Sequence, residues 1–108
     1  MKTGDIVLIP FPFADSNIKK IRPAVVIAET KDKYEDLVLS AISSIVPTKL
    51  TSFEVLVKQD KLNKLRIDSI IKVDRIVTLK KEDKVAGLGR LNKKELEEFK
   101  FIFKCLVD

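Results

Sequence analysis

Arg22 precedes a proline and then the apolar run Ala24-Val25-Val26-Ile27-Ala28, so an arginine stands where a strand begins. A residue before proline is biased toward extended backbone, which would present the side chain in a defined direction. The guanidinium is permanently charged and offers a planar fork suited to phosphate oxygens. Farther along, Lys72 and Asp74 lie two residues apart in a segment that reads as a strand, so both project to one face. The chain has no histidine, the side chain whose near-neutral pKa usually serves acid–base work. In a basic protein of this size, these features point to RNA chemistry done without imidazole.

The bulk numbers set the frame. At 108 residues the chain is one domain, 1–108, large enough for a single core without staples. There are 21 Lys+Arg against 16 Asp+Glu, a formal net charge of +5. That leans mildly toward a polyanionic partner, and an ordinary lysine-rich surface explains it equally well. Cys105 is alone, so no intramolecular disulfide can form, and with no histidine a structural zinc site is excluded. No metal or other cofactor is expected. Asp5 interrupts the N-terminus before any signal-like apolar run, and the apolar runs are far too short to span a membrane. The chain reads as cytoplasmic.

The elements that must position Arg22 are short strands. Residues 6–9 and 24–28 are continuous apolar runs, consistent with buried strands. Pro10 and Pro12 each lack a ladder donor, so the first strand should end near them. Residues 14–20 are polar and read as an exposed, mobile loop. Residues 37–43 and 53–57 are the third and fourth strands, and 59–64 reads as a turn or a single helical turn. Residues 69–79 form a fifth, kinked strand, and 85–91 a short glycine-bearing one. The last element is a helix: Asn92 is a good N-cap, Glu95 is placed to complete a capping box, and Leu91 with Leu96 forms a hydrophobic staple. Leu96, Phe99, Ile102, Phe103 and Leu106 recur at helical spacing and should pack on the strands. Five to seven short strands and one terminal helix describe a mainly β fold, a small, partly closed barrel of SH3-like size.

Gly4-Asp5-Ile6-Val7 followed, after a polar loop, by Arg22-Pro23-Ala24-Val25-Val26-Ile27 resembles the start of the MazF/PemK (Kid-like) toxin family. Ala41-Ile42-Ser43-Ser44, Phe53-Glu54-Val55, the run from Asp68 to Thr78, and Gly89-Arg90-Leu91 resemble later landmarks in the same order. The match covers nearly the whole chain. It implies the SH3-like barrel that this family shares with the gyrase poison CcdB. It further implies a metal-independent, sequence-selective endoribonuclease that is a homodimer, binds single-stranded RNA in a groove and is silenced by a cognate antitoxin. The family cuts by attack of a ribose 2′-OH on the adjacent phosphorus.

By that resemblance Arg22 stabilises the transition state. Ser43 stands where the family commonly has a threonine hydroxyl, with Ser44 as a second hydroxyl; a strand-end serine can equally tie down its own backbone. Asp74, with Lys72, stands where some members use an acid–base pair, and its alternatives are to orient Arg22 or Arg75 or to join a plain surface ion pair. Phe53 is either a stacking platform for an unpaired base or a core residue. Phe11 and Phe13 either close a barrel end or form a contact surface. Lys19, Lys20 and Lys49 are candidate phosphate contacts. A rival reading is a non-catalytic CcdB-like barrel that binds gyrase or another protein, or a toxin relic that only binds RNA. Arg22-Pro23 with a hydroxyl at position 43 separates the two, since a protein-binding barrel needs neither.

Overall fold

The computed structural model describes residues 1–12 and 19–108. Phe13 and residues 14–18, within the expected loop, lie outside it, as do the side chains of Pro12 and Lys19. Six strands, β1 (Asp5–Pro12), β2 (Lys19–Glu29), β3 (Leu37–Ser43), β4 (Glu54–Val57), β5 (Ser69–Leu79) and β6 (Ala86–Arg90), precede one helix, α1 (Lys93–Cys105). They form one antiparallel sheet in the order β4-β5-β3-β2-β1-β6, curled into a half-barrel. The mainly β fold with a C-terminal helix is therefore as the sequence indicates. Lys19 and Lys20 differ from expectation: they belong to β2, paired with Pro12 and Phe11, rather than to the loop.

The continuous apolar runs of β1 and β2 reflect a sheet buried on both faces. Ile6 and Val25 join a core closed by Phe99 and by the Leu96, Ile102, Phe103 and Leu106 side of α1. Their neighbours Val7, Ile9, Ala24 and Val26 join a second cluster with Leu37 and Leu39. Alternate residues thus serve opposite cores, and no polar face is left to break the run. Pro10 is tolerated in β1 because that strand pairs with β6 only as far as Leu8, leaving one edge without a partner strand beyond it.

The Asn92 side chain accepts the Glu95 N–H at 2.8 Å, as a cap should. The reciprocal half of the capping box is replaced by a tertiary bond: Glu95 Oε2 accepts the Lys58 N–H at 3.2 Å. Among the described residues Glu95 Oε1 is buried without a partner. Burial is the main cause that lifts this carboxyl above its usual pKa, with Asp60 and Glu98 adding repulsion. A raised folded-state pKa costs stability at high pH, and the cost fades as pH falls through the raised value toward 4.5. Glu95→Gln is therefore expected to raise the Tm by no more than a few degrees at pH 8, and the gain should vanish below pH 4; thermal melts across that range check it.

Candidate functional site

Two local features open a groove beside Arg22. The first is Pro23. β2 pairs with β3 from Glu29↔Leu37 only as far as Ala24↔Ala41, whereas β2 stays paired with β1 through Pro23↔Leu8 and Arg22↔Ile9. Pro23 has no N–H to continue the ladder toward β3. Beyond that point β2 follows β1 while Ile42 and Ser43 follow β5, so the two strands part.

The second feature is a break in β5. Ser40 pairs with Ile76, but the next residue, Ala41, pairs with Lys72, so Val73, Asp74 and Arg75 have no partner in β3. The buried Ser40 hydroxyl donates to the Val73 carbonyl at 3.0 Å, and the Val73 N–H donates to the Phe53 carbonyl at 3.0 Å. Those bonds satisfy backbone groups that the ladder leaves open.

At the parting of β2 and β3 lies a cavity of about 200 Å³, walled by Arg22, Ser43, Ser44, Lys72 and Arg75, with Phe11 at one side. Four strands therefore deliver its residues. The irregularity in β5 places Arg75 in the wall beside Lys72, although strict alternation would bring Asp74 there. Asp74 is exposed and lies outside the wall, so its expected place beside Lys72 is corrected by the bulge. Ser43 Oγ accepts the Ile45 N–H at 3.2 Å. The backbone-tying bond is thus made, and a hydroxyl that accepts through its oxygen keeps its hydrogen to donate.

Other candidates fall elsewhere. Phe53 is half-buried, ends just before β4, and helps to hold the β5 break through its carbonyl; its ring lines neither cavity of the groove. Lys20 and Lys49 are exposed and stand outside the cavity walls. Phe11, at the side of the smaller cavity, is half-buried and also packs against the second core cluster.

Sequence reasoning missed a second cavity, of about 550 Å³, which shares Arg22, Ile42 and Ser44 with the first. Lys64 and Arg66, from the segment between β4 and β5, stand in its wall. Their trace in the sequence is the alternation Lys64-Leu65-Arg66-Ile67 just before β5. Among the described residues that line either cavity there are five cations, Arg22, Lys64, Arg66, Lys72 and Arg75, and no carboxylate. Such a lining attracts anions and focuses their approach.

No helix of the described residues is long and apolar enough to cross a membrane. The fold is similar to that of an endoribonuclease solved in complex with its cognate antitoxin from a mycobacterial species, with TM-score 0.75 and 11% identity over 97% of this chain and 92% of that one. No curated protein sequence matches the chain. A family model described as PemK-like, MazF-like toxin of type II toxin-antitoxin system matches residues 2–103. With Arg22, Ser43 and the β5 cations in one groove of this fold, the chain belongs to the PemK-like, MazF-like family of type II toxin–antitoxin toxins.

Proposed function

We propose that this protein is a sequence-selective endoribonuclease that cuts single-stranded RNA without a metal cofactor. The observation that carries the reading is the meeting of Arg22, Ser43, Lys72 and Arg75 on one cavity, with no carboxylate among the described residues of its wall. A divalent cation is held by oxygen ligands, carboxylates above all; this lining suits the phosphate itself.

In the proposed reaction the ribose 2′-oxygen attacks the adjacent phosphorus, the 2′-proton leaves, and the bond from phosphorus to the 5′-oxygen breaks. The 5′-oxygen takes up a proton, and the products carry a 2′,3′-cyclic phosphate and a 5′-hydroxyl. Arg22 places its fork on the non-bridging oxygens, where negative charge grows in the phosphorane. Ser43 donates its remaining hydrogen to the same group and holds the 2′-OH in line. Lys72 and Arg75 fix the phosphate from the β5 side. Asp74 stands on the exposed β5 break outside the described cavity wall, and the 2′-proton is proposed to pass to solvent.

The protein is proposed to act as a homodimer in the cytoplasm, as membership of its toxin family implies, and to be silenced by a cognate antitoxin, as in the complex of the structurally similar endoribonuclease. Exposed apolar residues near the groove, Ile45 among them, suit a protein contact as well as RNA. Purified protein incubated with long, varied single-stranded RNA in excess EDTA is expected to yield discrete fragments with 5′-hydroxyl ends. No cleavage of any such RNA would reject the ribonuclease reading in favour of a binding module.

A further inference from the structure

We propose that the segment 58–68 is a preformed wall that makes the larger cavity the subsite for the nucleotide next to the scissile bond, and so helps to choose where RNA is cut. The inference rests on the ribonuclease reading of the same groove and gives it a second binding position.

Three observations converge. The first is rigidity. Asn63 is fully buried and serves as a hub: its Oδ1 accepts the N–H groups of Asp60 (3.1 Å) and Leu65 (2.9 Å), and its Nδ2 donates to the Lys58 carbonyl (2.9 Å). Asp60 Oδ1 accepts the N–H groups of Leu62 (2.9 Å) and Asn63 (2.7 Å), while Asp68 Oδ1 accepts the Gln59 N–H at 2.9 Å. From β6, the Arg90 N–H donates to the Leu62 carbonyl at 3.1 Å. Gly89 is required at this junction because a Cβ there would collide with the backbone carbonyl oxygens of Leu62 and Asn63.

The second observation is that this scaffold holds Lys64 at φ +57°, a left-handed conformation that a non-glycine residue adopts at a cost. Glycine would relieve that cost but would carry no charge. Lys64 and Arg66 both line the cavity that also contains Arg22 and Ser44.

The third is the cavity's floor. Leu8, Ile21 and Leu88 line it, with Ile67 at its wall. Ile21 and Ile67 remain 48% and 56% exposed in a basic groove. Apolar side chains beside cations match a nucleotide, whose base has a desolvatable face and whose phosphate is anionic. At about 550 Å³ the cavity falls within the size range of small-ligand sites, while the 200 Å³ cavity next to it suits the phosphate under attack. Arg22 stands in the wall of both, so a strand that places one phosphate on Arg22 lays its neighbouring nucleotide along Lys64 and Arg66.

The test is the double variant Lys64→Gly/Arg66→Ala, in which glycine suits the φ of position 64. With wild type active, the variant is expected to raise KM about tenfold and to flatten the salt slope of RNA binding by about 1.4, two single-strand phosphate contacts. Sequencing of cut ends from a random RNA pool should show altered preference at the position beside the scissile bond. An unchanged KM and an unchanged cut-site profile would overturn the proposal. Binding of a fluorescent single-stranded RNA separates the two readings. Wild-type binding that the double variant weakens, without cleavage by either, supports the subsite and removes the ribonuclease. Equal binding by wild type and variant overturns the subsite whether or not cleavage occurs.

Discussion

Arg22→Ala is expected to slow RNA cleavage by about 10²–10³-fold, the scale on which loss of one preorganised donor to a developing oxyanion is felt. The reason is positional. Pro23 ends the pairing of β2 with β3, and Arg22 sits at the point where the strands part, in the wall of both cavities. The side chain is exposed, and exposed substitutions usually change stability by less than about 0.5 kcal/mol. The Tm should therefore stay close to that of wild type, which separates lost chemistry from lost fold. Arg22→Lys keeps a charge but not the fork, and should recover only part of the rate. Single-turnover cleavage of a defined RNA, with melts of each variant, measures both effects; an alanine variant as fast as wild type would remove Arg22 from the site.

Asn63→Ala is expected to destabilise the fold by about 3 kcal/mol. The change strips a fully buried hub of its hydrogen bonds with the backbone of Lys58, Asp60 and Leu65. Each buried backbone group left unsatisfied costs about 1–3 kcal/mol. Water entering the space left by the amide would offset some of that sum. Denaturant unfolding should show the loss as a lower midpoint. A loss under about 0.5 kcal/mol, the ordinary surface range, would mean that the 58–68 segment is not held through Asn63.

What the sequence revealed and what it hid divide along a physical line. The helix was legible because its signals are local: Asn92, three residues before Glu95, is a cap by chemistry, and the Leu96–Leu106 spacing fixes the buried face. β1 and β2 were legible as buried runs because composition alone marks a strand covered on both faces. The capping box was only half right because Lys58, remote in sequence, supplies a competing N–H to Glu95. The kink in β5 was legible, but not which side chains it turns into the groove, since the break depends on Ser40 and Phe53 completing hydrogen bonds across the sheet. That tertiary detail exchanges Asp74 for Arg75 in the cavity wall. Lys64 and Arg66 were hidden for the same reason: a turn of 59–64 is easy to predict, but its clamping against Gly89 and Arg90 is not. Arg22 was singled out by its place before Pro23 and Ser43 by family resemblance, and the parting of β2 from β3 sets both in one cavity wall.

The sharpest test of 2′-OH attack in this groove uses one RNA carrying a single 2′-deoxy substitution at a mapped cut site. Cleavage at that bond should cease, while binding and cleavage at other sites continue and every remaining fragment still bears a 5′-hydroxyl. Undiminished cutting at the deoxy position would contradict attack by the ribose hydroxyl and, with it, the assignment of Arg22 and Ser43 to that reaction.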